Sequence, residues 1–215
     1  MTRKTVPADV AAIRAEIDAF LNTKDKEGRV VGHAKCGVYA FFDYDGEPIY
    51  VGQTSEKLRV RIRRHLTNHR TDAVAMNVLD PFEVAEVEMW PYFDLAKEDE
   101  KATLGAAEST VYQRVLAASS FNAVLNEKSI PQIEAIELPQ SVRKRIIPAG
   151  IYEARSHADV RIARRASTIA SLARVISERQ VSSGLRRTLL TQAKRLERLA
   201  SQREAEMAGT VEESD

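Results

Sequence analysis

The sequence predicts an α+β protein whose short, mainly antiparallel sheet has three strands flanked by helices. Two β-rich runs, GVYAFFDY and PIYVGQT, are joined by the turn-forming DYDGE, which predicts a hairpin. A third β-rich run, PFEVAEVEMW, follows a helical segment. Beyond Pro139 the chain is rich in Ala, Leu, Arg and Glu and poor in aromatic residues, which predicts a helical extension.

The helices follow from apolar residues at helical spacing. An N-terminal helix is expected over residues 8–22, and a second begins at Ser55 as a cap and buries a stripe of leucine and isoleucine. Residues 94–118 predict a third helix. After Pro139, VSSG at 181–184 is a turn between two helices, so an αα-hairpin is expected there.

We therefore divide the chain into four parts. They are an N-terminal helix and loop (1–30), a compact α+β domain (31–138), a basic helical extension (139–208) and a flexible tail (209–215).

The composition narrows the class of protein. The 215 residues include one cysteine, so an intramolecular disulfide is excluded and a reducing compartment is expected. No run approaches the roughly 20 apolar residues of a membrane helix, and the N-terminus lacks a signal-peptide core, so we expect a cytoplasmic protein. Residues 1–140 carry 17 Lys and Arg against 22 Asp and Glu, whereas residues 141–210 carry 15 against 6. The basic block indicates either a polyanionic partner or a solvated helix surface.

The hairpin carries two tyrosines that can share a face. Tyr39 is on the first strand and Tyr50 on the second, and alternation along strands allows the two rings to lie side by side. Gly37 and Gly52 are next to these rings, and we expect them to leave room for a phosphodiester backbone. Taken alone, each tyrosine is also typical of a core position.

The following helices add charged candidates. Arg61 and His65 are four residues apart and share a helix stripe beside the buried face. Glu108 is a lone acid among small and apolar residues, which is costly unless it is paired or bound to a metal. Asn122 follows where this helix has ended, and a C-cap is the structural alternative for it.

These residues together resemble the GIY-YIG nuclease family. The resemblance rests on GVY and YVG, whose tyrosines are eleven positions apart, on LRVRIRRH, on a glutamate in a later helix and on an aromatic–Asn pair. It covers roughly residues 36–126. Two departures are Gln53, where many members carry lysine, and Ser120-Phe121 before Asn122, which leaves Asn126 as an alternative to the preferred Asn122.

The resemblance implies a role for each residue. Tyr39 would be the general base toward the attacking water, with His65 as a rival base, and Tyr50 would orient groups at the scissile phosphate. Arg61 would stabilise the phosphate, and Glu108 would hold one Mg²⁺ (or Mn²⁺) ion per active site. Asn122 would support or line the site. A Tyr39 phenolate would require a nearby cation, because a phenol has a pKa of about 10.

The expected function is metal-dependent hydrolysis of DNA phosphodiesters, with site-specific double-strand cleavage of restriction type. The alternatives are a repair or structure-selective nuclease of the same family and a non-catalytic nucleic-acid-binding module. The C-terminal helices would hold double-stranded DNA or form a dimer arm through the Leu185–Leu199 stripe, and a palindromic site would require a homodimer. The residues expected to contact DNA are Arg59, Arg63, Arg64, Arg143, Lys144, Arg145, Arg161, Arg164 and Arg165.

Overall fold

The computed structural model describes residues 6–67, 80–128 and 130–212, with side chains up to residue 209. Its central feature is one antiparallel sheet in the order β2-β1-β3-β4. The strands are β1 (Cys36–Phe42), β2 (Pro48–Thr54), β3 (Glu86–Tyr92) and β4 (Val142–Arg145). The α+β prediction is confirmed, but the sheet has four strands instead of three.

The helices flank and extend this sheet. They are α1 (Ala8–Leu21), α2 (Leu58–Thr67), α3 (Glu100–Ala118), α4 (Ala149–Ser156), α5 (Ala158–Glu178) and α6 (Ser183–Glu212), with one turn of 3₁₀ helix at Val31–His33. Helix α2 begins later than the expected Ser55 cap, because Thr54 Oγ1 instead accepts from the Glu56 amide. Helix α6 continues through Glu212, so the start of the expected flexible tail is helical. Within the described residues no helix is long and apolar enough to cross a membrane.

The central strand β1 is buried along its whole length because helices cover both faces of the sheet. On one face, Tyr39 and Phe41 pack with apolar residues of α1 and α2, including Leu21 and Ile62. On the other face, Val38 and its neighbours pack against the apolar side of α3. The two faces of the hairpin therefore pack against different helices. Both groups of packed residues extend to β2, the strand at the edge of the sheet.

The fourth strand lies in the stretch that was expected to be entirely helical. Residues Val142–Arg145 pair antiparallel with β3, with Glu86 opposite Arg145 and Glu88 opposite Arg143. Cross-strand pairs of opposite charge replace the apolar alternation that would have signalled a strand. An edge strand made of Val-Arg-Lys-Arg is also protected against pairing with other chains by its charge.

The C-terminal helices attach to the turn of the β1–β2 hairpin through buried charges. Three arginines and four carboxylates, which we call the ionic cluster, come together there: Arg161, Arg165, Arg195, Asp43, Asp45, Glu47 and Glu83. Arg165 Nη2 donates to Asp43 Oδ2 at 2.7 Å, and Arg161 Nη1 donates to Asp45 Oδ1 at 2.7 Å. Much of the charge asymmetry between the two halves of the chain is therefore satisfied inside the molecule.

Helix α6 also binds to the chain at and near β2. Thr188 Oγ1 donates to the carbonyl of Leu125 at 3.1 Å, and Arg195 Nη2 donates to the carbonyl of Pro48 at 3.1 Å. Leu185 and Leu199 are buried within the chain. Leu185 and Leu199 are therefore not available to a partner chain as the dimer-arm alternative would need, and that alternative stays a prediction without support.

Candidate active site

Tyr39 is at the centre of a buried polar group. It projects from the central strand and is fully buried. Its hydroxyl lies 2.9 Å from Nε2 of His65 and accepts a hydrogen bond from Nε of Arg61 at 3.2 Å. Arg61 and His65 reach it together because they are one turn apart on α2. Burial is the main effect raising the pKa of the Tyr39 phenol, and Arg61 opposes it.

The space beside Tyr39 depends on Gly52, its partner across the hairpin. A Cβ atom at position 52 would lie 2.7 Å from the Tyr39 hydroxyl and 2.7 Å from Cε1 of Tyr50. At Gly37 a Cβ atom would meet the Trp90 carbonyl at 2.6 Å. The expectation that these glycines admit a phosphodiester is therefore wrong, because protein atoms already fill the space that they leave.

Tyr50 is the outer member of the aromatic group. Its ring is stacked on Tyr39, with centroids 6.2 Å apart, and it lies 5.5 Å from the ring of His65. Tyr50 is only partly buried because β2 is an edge strand. Burial raises the pKa of its phenol, Glu108 adds to the shift and Arg61 opposes it. Water can thus reach Tyr50, whereas Tyr39 is closed off.

His65 is a neutral, interior residue. Burial, together with the positive charges of Arg61 and Arg64, lowers the pKa of His65 to about 4. Its Nε2 faces the Tyr39 hydroxyl, whereas its buried Nδ1 has no hydrogen-bond partner in the described part of the chain. At neutral pH the imidazole is therefore uncharged. Its Nε2 can donate to the Tyr39 hydroxyl or accept from it, depending on the tautomer.

Glu108 lies on α3, on the opposite side of the β2 edge from Tyr39. One carboxylate oxygen, Oε2, accepts from the side-chain amide of Gln53 at 3.0 Å. Burial raises the pKa of Glu108, whereas the Gln53 hydrogen bond and the charge of Arg61 lower it. Within residues 6–67, 80–128 and 130–212 no cation forms a salt bridge with this carboxylate. The ion-pair explanation that the sequence left open for Glu108 thus has no geometric support here.

The donor set fits a divalent cation bound through one carboxylate. In the part of the chain that the structure describes, no group of three or more His, Cys, Asp or Glu side chains surrounds a common point. Mg²⁺ is often held by one or two carboxylates, with water and substrate phosphate completing its shell. Glu108 is a half-buried carboxylate with a raised pKa and no ion-pair partner among the described residues, so it can serve as such a ligand. Zn²⁺, which prefers a closed set of nitrogen and sulfur ligands, would not be matched.

An open groove of about 510 Å³ runs between these elements. It is lined by Gln53, Thr54, Ser55, Glu56, Arg61, Glu100, Lys101 and Leu104. The groove thus joins the end of β2, the start of α2 and the first turns of α3. Arg61 is common to the groove and to the buried tyrosine, so a group bound in the groove would contact the polar network directly.

Residues 35–113 match the family model described as the GIY-YIG catalytic domain. These residues form a GIY-YIG domain. No curated protein and no solved structure matches the chain significantly. The matched stretch contains Tyr39, Tyr50, Arg61, His65 and Glu108, and it ends before both candidate asparagines. A GIY-YIG domain implies nuclease activity with DNA as the substrate, and its members are generally metal-dependent.

The two asparagines after the GIY-YIG domain lie in different places. Asn122 is exposed in a turn, with a positive φ of 47°. Asn126 binds both backbone groups of Val51, accepting from its amide at 2.9 Å and donating to its carbonyl at 2.8 Å. Val51 lies between Tyr50 and Gly52, so Asn126 is placed to brace the second motif. The expectation favoured Asn122, and the geometry supports Asn126 for this role.

Most of the arginines expected to bind DNA are engaged within the molecule. Arg161 and Arg165 are buried in the ionic cluster, so their assignment as DNA contacts is wrong. The helix α2 arginines also have partners: Arg59 Nη2 donates to Asn22 at 2.6 Å, Arg63 pairs with Asp18, and Arg64 pairs with Glu56 at 2.7 Å.

The other predicted contacts lie on or near β4. Arg143 Nε pairs with Glu86 at 2.7 Å, and Arg164 lies 3.7 Å from Asp80. The guanidinium of Arg145 lies 3.7 Å from the centroid of the Tyr152 ring. Lys144 is exposed. The charge in this region is therefore partly neutralised, and it is concentrated away from the residues that line the groove.

Proposed function

We propose that the protein is a metal-dependent DNA endonuclease whose active site is the groove between β2, α2 and α3. The observation that carries this proposal is the arrangement around the groove. Arg61 connects the groove to Tyr39, and the groove residue Gln53 donates to Glu108, whose carboxylate has no salt-bridge partner among the described residues. The order of these residues in the sequence could have arisen in an unrelated protein. Their convergence at one sheet edge, inside a GIY-YIG domain, supports a catalytic role.

Arg61 would stabilise the charge that develops on the scissile phosphate. Its Nε is used by the Tyr39 hydroxyl, so the two terminal nitrogens are the remaining donors for non-bridging oxygens. Tyr39 is fixed by strand β1 and by His65, and it therefore holds the guanidinium in one orientation. Donors that are oriented in advance stabilise a transition state without reorganising during the reaction.

We propose Tyr50, instead of Tyr39 or His65, as the group that takes the proton of the attacking water. Tyr39 and His65 are both buried, whereas Tyr50 is partly exposed on the edge strand β2. The raised pKa of Tyr50 keeps it protonated in the free protein, so an additional cation must approach before it can act as a base. Tyr39 and His65 would then be positioning residues for Tyr50 and Arg61.

Glu108 would hold the divalent cation, Mg²⁺ or Mn²⁺, with Gln53 orienting its carboxylate. Such a cation supplies Lewis acidity at the phosphate and favours ionised forms of nearby groups when it is bound. The raised pKa of Glu108 means that cation and proton compete for this carboxylate. We therefore expect the affinity of the Glu108 carboxylate for the cation to fall as the pH falls, and the cleavage rate to fall with it.

The type of cleavage is a second part of the proposal. We propose site-specific double-strand cleavage of restriction type, and a palindromic site would need two copies of the chain. Purified protein would be incubated with supercoiled plasmid and genomic DNA, with Mg²⁺ or with EDTA, and the ends of the products would be mapped. Discrete fragments that share one sequence at their ends support the restriction type. Nicks or random ends would support a repair or structure-selective nuclease, and binding without any Mg²⁺-dependent cleavage would support a non-catalytic module.

A further inference from the structure

Affinity for DNA comes largely from cations that contact phosphates, and such cations must be accessible. The arginines of α2 and α5 that sequence reasoning favoured are mostly paired with acids of the same chain. Four exposed lysines instead lie on segments that form or border the groove, and one of them, Lys101, lines it. We call them the lysine rim, and its members are Lys35, Lys57, Lys97 and Lys101.

Three members of the lysine rim stand at the start of a helix or strand, and Lys97 lies in the segment that leads into α3. Lys35 precedes the first residue of β1, and Lys57 precedes the first residue of α2 and follows the groove residue Glu56. Lys101 lies in the first turn of α3 and lines the groove itself. Lys97 lies four residues before Lys101, in the segment that precedes α3. The four ammonium groups thus come from three separate segments that meet at the site end of the sheet.

Two further contacts hold these segments together. The amide of Leu58 donates to the carbonyl of Ala34 at 3.2 Å, which joins the segment of Lys57 to that of Lys35. The Cys36 thiol, next to Lys35, donates to the carbonyl of Tyr92 at 3.8 Å, which joins the start of β1 to the end of β3, from which the chain continues to Lys97. The four lysines are therefore carried by segments that contact one another at this end of the sheet.

The charges of the lysine rim are largely available to a ligand. All four side chains are exposed, and Lys97 makes only a loose salt bridge of 3.7 Å to Glu100. The other three form no salt bridge with any residue in the described ranges. Among the neighbouring acids, Glu56 is paired with Arg64 at 2.7 Å and Asp94 lies 3.6 Å from Arg29. Glu98, Asp99 and Glu100 stand beside Lys97 and Lys101 and offset part of their charge, so Lys35 and Lys57 are the members with the fewest acids next to them in sequence.

We propose that the lysine rim binds the phosphates of the DNA strand on both sides of the bond that is cut. The proposal rests on the proposed nuclease function and deepens it, because it assigns the substrate contacts to the groove margin and not to the C-terminal arginines. Lysine suits this task because its ammonium is a mobile point charge that can contact phosphate without reading sequence. The lysine rim would position the strand while Arg61 acts on the scissile phosphate.

The test compares two triple variants with the same change of charge. One is Lys35→Gln with Lys57→Gln and Lys101→Gln, and the other is Lys26→Gln with Lys128→Gln and Lys194→Gln. The control lysines are exposed, lie outside the groove and form no salt bridge with another described residue. Binding of a short duplex would be measured by fluorescence anisotropy in EDTA over a range of salt concentrations. Thermal unfolding would verify that both variants are folded.

Each phosphate contact contributes about 0.9 to the slope of log affinity against log salt, so three lost contacts should reduce the slope by about 2.7. The control variant should keep a slope within about 1 of the wild type. Equal effects in the two variants, or no effect in either, would overturn the lysine rim. If wild type binds DNA with these effects but does not cleave with Mg²⁺, the proposed function fails while the lysine rim stands. Absence of DNA binding by wild type overturns both.

Discussion

Replacing Glu83 by glutamine should stabilise the protein at alkaline pH. Glu83 is a buried member of the ionic cluster, and neither of its carboxylate oxygens has a hydrogen-bond partner in the described part of the chain. The nearest cationic atom is Nε of Arg165 at 3.6 Å. Burial raises the pKa of Glu83 to about 7 from an ordinary 4.5; Asp80 and Asp43 add to the shift, and Arg165 and Arg161 oppose it.

The balance of charges in the ionic cluster also favours a raised pKa for Glu83. With Glu83 protonated, its three arginines face three carboxylates, those of Asp43, Asp45 and Glu47. Ionising Glu83 adds a fourth buried negative charge that no hydrogen bond stabilises. The neutral form of Glu83 is therefore the one that the folded protein favours.

The magnitude follows from proton linkage. The folded state holds the Glu83 proton up to about pH 7, whereas the unfolded chain releases it near 4.5. Folding stability from this group is therefore present below 4.5 and is lost as the pH rises through 7. At about 1.4 kcal/mol per pH unit, the loss is about 3 kcal/mol. Glu83→Gln removes this penalty because glutamine carries no charge.

Urea unfolding at about pH 5 and about pH 8 measures the effect. The free energy of unfolding of Glu83→Gln should exceed that of wild type by about 2–4 kcal/mol at the higher pH, and by much less at the lower. Glu153→Gln, an exposed control on α4, should stay within about 0.5 kcal/mol of wild type at both. A stability difference between Glu83→Gln and wild type that does not change with pH would refute the reasoning.

Three other predictions concern the site. Gly52→Ala should lower the free energy of unfolding by about 1–3 kcal/mol, because its Cβ would overlap Tyr39 and Tyr50; thermal melting would show this, whereas Gly150→Ala, whose Cβ meets nothing within 4 Å, should not destabilise. Asn126→Ala should cost about 1–3 kcal/mol in chemical denaturation, since Val51 loses two hydrogen bonds. Asn122→Gly, which keeps the positive φ of that position without strain, is the control, and a loss there as large as this would count against our choice of Asn126. Gln53→Ala removes a hydrogen bond that lowers the pKa of Glu108, so the acidic limb of the pH–rate profile should move to higher pH; an unmoved limb would mean that Gln53 does not tune this carboxylate.

Sequence reasoning reached the parts of the fold that local signals encode. The hairpin has a turn signal between two β-rich runs, and Arg61 and His65 share a helix face through their spacing alone. Strand β4 was not predicted, because Val-Arg-Lys-Arg has no apolar alternation. Its arginines instead stand opposite the glutamates of β3. A short polar run is recognisable as a strand only when its partner is known.

The remaining differences arise from contacts between residues far apart in the chain. Arg165 and Asp43 are 122 positions apart, so nothing local distinguished a buried arginine from one that contacts DNA. The acidic turn DYDGE and the basic RIARR were both visible in the sequence, and their opposite charge was the signal that could have linked them. Asn126 likewise acts on Val51, 75 positions away.

The most direct test of the nuclease assignment is single-turnover cleavage of DNA with Mg²⁺ by wild type and by Glu108→Ala. Glu98→Ala is the matched control, because Glu98 is an exposed acid just before α3 that does not line the groove. We expect cleavage by wild type and by the control, and a rate at least about 100-fold lower for Glu108→Ala. Cleavage by Glu108→Ala at the wild-type rate would contradict the metal site, and no cleavage by wild type would contradict the nuclease itself.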